Sequence, residues 1–417
     1  MTAERNDSTV LVGAGCAVIN PQPGIPLLGY PRPRPNKGVG LDLCARAIVF
    51  AEPGASAPQA AIVVLDNLGA DLTLVRQMRQ RAAEAVPGLR AETVMVAATH
   101  THSAPTLRRY HKPDREPVLP DPQYIEQVIA GAAHAIAQAW KAAKPATMRT
   151  GRTEAFLGHN RRVLDPEGKA SADWLDPEGR HTGYYDPQLP FAAFDDAETG
   201  KVHTMVVSYW CHPVTLGPDN YMASADYPGY FVRRLEAATG AATVLHVTGG
   251  GGNINPRQAL FASPEHTEKM GHELAAKVLA AMDSTTPRAA LPVRSASAEL
   301  VLELSDNVSD FMKARAAEST DGRHLTTEVQ AVAVGELCFV TAPGELFSEI
   351  GGAMQKASPF AHTMVVSQGN DYLGYLFTDK AKAEGGYEPS RPIANQIEKP
   401  LLAAAAKAMN AARAAQG

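Results

Sequence analysis

The chain reads as an α/β protein: one large domain of mixed β-sheets flanked by helices, a layered α/β/β/α-like sandwich. Three observations predict this. From residue 41 onward, apolar runs of strand length alternate with longer amphipathic or alanine-rich runs of helical length. Hydrophobic residues make up 45% of the 417 and charged residues 20%, the balance of a globular chain with a sizeable core. No internal repeat and no compositional linker divides the sequence, so residues 1–417 are read as a single catalytic unit.

The elements follow in order. Residues 1–40 begin with a short apolar stretch and become a proline-rich opening segment. Pro21, Pro23, Pro26, Pro31, Pro33 and Pro35 leave little room for regular structure there, so the segment wraps a surface or lines a cleft. Stretches 45–50 and 60–65 read as strands, 72–86 as a helix and 93–98 as a strand. Asp121 is suited to cap, and Pro122 to open, a long helix over 122–143. Between 150 and 200, Gly, Asp, Pro and Arg erase the periodicity, which predicts loops and short strands. A strand at 202–210, a helix at 228–239 stopped by Gly240, and a strand at 242–247 come next. After them a helix is expected over 264–282, strands at 292–304 and within 329–340, and a helix opened by Pro343-Gly344-Glu345. A strand at 364–367 and a docked alanine-rich helix over 391–415 complete the chain.

Bulk properties exclude several functions. A net charge of −5 is the wrong sign for a nucleic-acid or anionic-membrane surface. The basic spots, Arg32, Arg34 and Lys37 and then Arg108-Arg109, are short. No apolar run reaches the length of a membrane span, and the N-terminus lacks the apolar core of a secretion signal. Cys16, Cys44, Cys211 and Cys338 form no CxxC pair and read as buried free thiols. These features predict a cytoplasmic protein with a small-molecule substrate, no nucleic-acid partner and no membrane insertion; they allow a homo-oligomer.

Five clusters carry chemistry. Thr99-His100-Thr101-His102-Ser103 follows an apolar strand, and two histidines two apart at a strand end point to one face. They would bind one metal together, or divide the work between ligand and acid–base partner; loop histidines bonded to nearby backbone give the same pattern. Trp210-Cys211-His212-Pro213 ends the next long strand. Gly249-Gly250-Gly251-Gly252-Asn253-Ile254-Asn255-Pro256 permits close backbone approach but lacks the Gly-Lys-Ser/Thr of a phosphate loop, and Pro256 breaks a dinucleotide fingerprint. Pro343-Gly344-Glu345 places a glutamate where it would also simply favour a helix dipole. Gly369-Asn370-Asp371-Tyr372-Leu373-Gly374-Tyr375, continuing to Gly385-Gly386-Tyr387-Glu388, supplies tyrosines in a glycine-rich loop.

In this order the five clusters resemble the catalytic domain of the neutral/alkaline non-lysosomal ceramidases. The resemblance implies zinc held by His100, His212, Glu345 and Tyr375, the last chosen because Tyr387 follows it at the spacing of the family's second active-site tyrosine. It places His102 beside the reacting carbonyl and makes Asn160-Arg161 the family's substrate-contacting Asn-Arg pair. Gly251, Gly252 and Asn253 join Asn160 as substrate-binding positions. Two departures stand out. Asn255 replaces the family's nucleophilic serine and Asn253 its aspartate, so a serine-acyl route is closed. The family's C-terminal immunoglobulin-like domain is not expected, nor is a secretion signal.

Two imidazoles and a carboxylate are a ligand set of catalytic zinc, which lowers the pKa of a bound water to roughly 7. The expectation is therefore a zinc-dependent hydrolase using metal-bound water to cleave an amide bond of a small soluble N-acyl compound. His102 would move the proton, Arg161 and Tyr387 stabilise the oxyanion, and Asn255 orient substrate or water. Asp226 or Asp66 would steady the histidines. The alternatives are a zinc esterase, cyclase, lyase or glycosidase on the same site, or a non-catalytic ligand-binding homologue.

Overall fold

The computed structural model describes residues 9–108, 118–306, 308, 310–317, 321–390 and 392–414. Two sheets face each other. In the first, the strands lie in the order Thr243–Thr248, Val202–Tyr209, Gln188–Asp196, Lys144–Glu154, Thr9–Val18, Cys44–Ala51, Ala60–Leu65 and Val94–Ala98. Thr286–Arg288 adds to Lys144–Glu154 off this path. The outermost pair at each end is parallel, and the pairs between them are antiparallel. The second sheet runs Val293–Glu303, His324–Val334, Leu337–Thr341 and His362–Val366.

The inner faces of the two sheets make a shared apolar core. Val10, Val12, Ile48, Phe50, Met95 and Phe194 from the first pack with Val293, Val332, Phe339 and Met364 from the second. The Phe50 ring lies 5.3 Å from that of Phe194 and 6.4 Å from that of Phe339. Each such ring contributes about 1.5–3 kcal/mol by leaving water.

Eight helices occupy the described residues: α1 (Leu72–Ala85), α2 (Pro122–Lys141), α3 (Asp226–Thr239), α4 (Glu265–Ala281), α5 (Asp310–Ala317), α6 (Ser348–Lys356), α7 (Asp379–Glu384) and α8 (Glu398–Ala414). α1 and α2 cover one half of the first sheet, and α3 and α4 the other. α6 and α8 cover the second sheet, which completes the α/β/β/α layering. Strands buried on both faces explain the near-continuous apolar runs at Cys44–Ala51 and Ala60–Leu65.

α2 begins as its sequence dictates, with the Asp121 carboxylate accepting from the Tyr124 N–H and Pro122 in the first turn. It then lies so close to Thr9–Val18 that a Cβ on Gly13 would sit 1.9 Å from the Ala139 carbonyl oxygen. Backbone against backbone has no rotamer with which to relax. Gly13→Ala is expected to cost roughly 1–3 kcal/mol, read as a lower denaturation midpoint at constant m-value. An unchanged midpoint would contradict this packing.

Two expectations, on residues 150–200 and on Glu345, need correction, and one strand goes unassigned in the sequence. Residues 150–200 contain long core strands, because Lys144–Glu154 and Gln188–Asp196 pair over nine positions despite their polar letters. The short apolar start of the chain is the central strand Thr9–Val18, paired on both sides. Glu345 does not open a helix. It lies in the two-residue strand Glu345–Leu346, and α6 starts at Ser348. Among the four cysteines, Cys44, Cys211 and Cys338 are buried free thiols as expected, whereas Cys16 is half-buried. No described helix is long and apolar enough to cross a membrane.

The first sheet curls until its two parallel ends meet. The Thr248 hydroxyl donates to the Thr99 carbonyl at 2.9 Å, joining the C-terminal ends of both outermost strands. Carboxyl ends of parallel strands are where open α/β sheets gather ligand groups. Just behind this junction His246 is buried, with the rings of Tyr227 and Phe231 about its imidazole. Burial pushes its pKa down to about 3. The unfolded chain therefore binds the extra proton first, and stability falls as pH drops from about 6.5 toward 3. His246→Leu is expected to flatten that acid limb in urea titrations at stepped pH; an unaltered limb would contradict the assignment.

Candidate metal centre and active site

His100 follows Val94–Ala98 and adopts φ 72°, a left-handed conformation that costs a non-glycine residue roughly 1–2 kcal/mol. Two bonds hold it there. Its N–H donates to the Asn67 carbonyl at 2.9 Å, and its Nδ1 lies 2.7 Å from the Leu68 carbonyl. The strand ends at Ala98, so this turn, and not strand alternation, brings His100 and His102 together. Their Nε2 atoms are 3.4 Å apart.

His212 leaves Val202–Tyr209 in the same way, with Nδ1 2.6 Å from the Gly251 carbonyl. A carbonyl only accepts, so Nδ1 of both His100 and His212 carries a proton, and Nε2 is the atom each ring turns to the site. The two Nε2 atoms converge on one carboxylate. Glu345 Oε2 is 3.3 Å from His100 Nε2 and 3.1 Å from His212 Nε2. Burial, reinforced by the nearby Arg161 charge, pushes His212 down to about 4, which leaves it neutral at pH 7. Burial alone would raise the Glu345 carboxyl, but the His100 and His212 imidazoles outweigh it and hold it well below the usual range.

A carboxylate met by converging imidazole nitrogens is balanced either by protons on those nitrogens or by a cation among them. Three histidines, His100, His102 and His212, offer ring nitrogens within 4.8 Å of one another. Neutral imidazoles with a carboxylate are the donor set of zinc. The residues present therefore fit the ion, and His100, His212 and Glu345 would hold it. His102, which the sequence set aside for chemistry, lies close enough to join them.

The steadying partners are backbone carbonyls rather than the expected aspartates. Asp66 accepts from the Cys44 N–H, and Asp226 accepts from the Leu216 and Tyr227 N–H groups and the Thr215 hydroxyl. Neither makes a hydrogen bond to a site histidine.

Tyr375 stands beside Glu345, since the strands Glu345–Leu346 and Tyr375–Leu376 pair in parallel with these two residues as partners. Its ring lies 6.5 Å from that of His212. The tyrosine that touches the carboxylate is Tyr372, whose hydroxyl donates to Glu345 Oε1 at 2.5 Å. In sequence the spacing to Tyr387 singles out Tyr375, and nothing marks Tyr372 within the same loop. Tyr372 is anchored by Asp371, which accepts its N–H, the Thr327 hydroxyl and both terminal nitrogens of Arg315.

Arg161 forms the opposite wall and is 2% exposed. It donates to Glu388 at 2.9 Å, to Asn255 Oδ1 at 3.0 Å and to the Gly252 carbonyl at 2.8 Å. The rings of Trp174, Tyr375 and Tyr387 lie 5.1, 5.4 and 5.6 Å from its guanidinium carbon. Asn255 thus holds Arg161 with its oxygen, while its nitrogen donates to the Trp174 carbonyl at 3.2 Å.

Four positions expected to contact substrate are bonded into the framework of the site. The Asn160 side chain spans the Arg162 N–H and the Tyr184 carbonyl. Asn253 accepts from the backbone N–H and hydroxyl of Ser348 and donates to Glu349, securing the start of α6. Gly251 offers its carbonyl to His212, and Gly252 joins Arg161 through its carbonyl and Leu346 through its N–H. At Gly252 a Cβ would lie 2.4 Å from the Glu345 carbonyl oxygen. Residues 109–117, including Arg109 of the second basic spot, lie outside the described residues.

Comparison with known proteins agrees with this architecture. The sequence model of the family described as neutral/alkaline non-lysosomal ceramidase, N-terminal, matches residues 10–284. The crystal structure of neutral ceramidase from Pseudomonas aeruginosa is similar with a TM-score of 0.77 at 18% identity, covering 98% of this chain and 74% of that one. A structure titled "Ceramidase complexed with C2" is similar with a TM-score of 0.78 at 17% identity, covering 97% of this chain and 75% of that one. At such identity the likeness shows the fold. No curated protein matches significantly. On the family match, which spans more than half its length, this chain belongs to the neutral/alkaline non-lysosomal ceramidase family.

Proposed function

We propose that the protein is a zinc-dependent hydrolase that cleaves an amide bond of a small soluble N-acyl compound. The observation that carries this reading is the convergence of the His100 and His212 Nε2 atoms and the Glu345 carboxylate in a buried cluster. Membership of a ceramidase family supports the amide bond as the target.

Zinc, when bound, supplies Lewis acidity toward a carbonyl and acidifies water near neutral pH. The chain's own residues do the rest. His102 is half-buried, and the loss of water around its ring lowers its pKa well below 6.5, so it begins as a neutral proton acceptor. Arg161 keeps its charge through Glu388 and presents it across the site, where it stabilises negative charge developing on the carbonyl oxygen. Tyr387 is raised above the usual tyrosine value by burial and stays a neutral O–H donor. Asn255 acts as a positioning residue, fixing Arg161 and the Trp174 loop. Trp174 and Tyr387, 38% and 49% exposed, set aromatic surface beside Arg161 that suits an acyl chain.

A zinc esterase on the same site is the second reading, favoured by Asn255 at the family's serine position. The test compares short N-acyl amides, the matching esters, glycosides and ceramide, with the metal chelated and then restored. Amide hydrolysis that disappears with chelation and returns with zinc is expected. Ester cleavage without amide cleavage, or turnover indifferent to chelation, would overturn the proposal.

A further inference from the structure

The proline-rich segment is seated on the histidine loop. The Arg32 guanidinium donates to the carbonyls of Leu28, His102, Gly217 and Asn220 at 3.2, 3.0, 3.3 and 2.7 Å. At Gly29, with φ 101°, a Cβ would come within 2.5 Å of His102 Cβ, so the backbone presses directly on that residue. The next residue, Tyr30, brings its ring 5.1 Å from the His102 ring, and Arg32 lies 5.0 Å from the same tyrosine ring.

The Tyr30 hydroxyl is buried without a hydrogen-bond partner, and so is His102 Nδ1 beside it. Buried phenols ordinarily find a partner, and leaving one without costs stability. Such a group is retained where a ligand completes it. The Tyr30 ring packs against His102, whose Nε2 lies 3.4 Å from that of His100, so the tyrosine borders the histidine cluster. Burial raises its pKa above the usual tyrosine value, so it stays an O–H donor and not a base.

We propose that Tyr30 is a substrate-contacting residue whose hydroxyl donates a hydrogen bond to a polar atom of the substrate beside the reacting carbonyl. This rests on the reading of the site as acting on acyl compounds. It gives the opening segment a role in the reaction beyond wrapping the loop.

Tyr30→Phe in the full, metal-loaded chain tests it. The assay uses fluorogenic N-acyl amides or esters, whichever the wild type turns over, alongside metal analysis and thermal melting. Zinc content is expected to stay the same, kcat/KM to fall at least about tenfold, and the melting temperature to hold or rise by a few degrees. A purely structural hydroxyl would give the opposite melting result. A fall of several degrees, or kcat/KM within twofold of wild type, would overturn the proposal. A wild type that cleaves esters but not amides retires the amide reading and leaves this test intact. If it cleaves neither, the melting result decides: a rise supports and a fall overturns.

Discussion

Glu345→Gln is expected to lower kcat/KM at least about a thousandfold, or about 4 kcal/mol of transition-state stabilisation, while the metal-free protein stays as stable as wild type or becomes more so. The change keeps the shape of the side chain and its contact with Tyr372, whose hydroxyl donates to Oε1. It removes the negative charge that faces the two imidazole Nε2 atoms. Zinc retention should fall with activity. Tyr372→Phe, which loosens the carboxylate without removing it, should lose about 10–100-fold. Equal losses from both variants would mean that Tyr372 does more than hold Glu345. Full activity in Glu345→Gln would remove Glu345 from the ligand set.

The largest stability effect is expected at Glu388. Its carboxylate is 1% exposed and accepts from Arg161 at 2.9 Å and from Arg162 at 2.7 Å, whose side chains are 2% and 7% exposed. Glu388→Ala leaves two buried guanidinium groups short of their counter-ion, Arg162 keeping only Glu384 at 3.2 Å. Breaking a buried pair from one side costs about 3–5 kcal/mol. Denaturant unfolding of the metal-free proteins should show this drop, with Glu388→Gln intermediate. A loss under about 1 kcal/mol would mean that water reaches Arg161, contrary to the packing of Trp174, Tyr375 and Tyr387 about it.

How far the sequence discloses this site depends on what each residue's position needs. The α/β layering and most elements are legible because strand and helix periods are local properties, as at Ala60–Leu65 and α2. Lys144–Glu154 is not, since its partners come from residues 9–18, 188–196 and 286–288, and pairing overrides a polar sequence. His100, His212 and Glu345 announce themselves by chemistry. What steadies them does not: the Leu68 and Gly251 carbonyls are backbone atoms, to which composition is blind. For Asn253 and Asn160 the sequence does not show the framework bonds their amides make, to Ser348, Glu349, Arg162 and Tyr184, because those partners lie far away in the chain or in the backbone. Tyr372 and Tyr30 escape for a related reason. A tyrosine beside a histidine in space carries no signature in the chain.

The central claim is that His100, His212 and Glu345 form a cation site and not a hydrogen-bonded cluster. Metal analysis of the purified wild type beside His212→Ala addresses it most directly. The account predicts one zinc per wild-type chain, retained through dialysis without chelator, and a variant that is folded yet nearly metal-free. Wild-type protein that stays folded and binds no zinc after equilibration with the ion would contradict it.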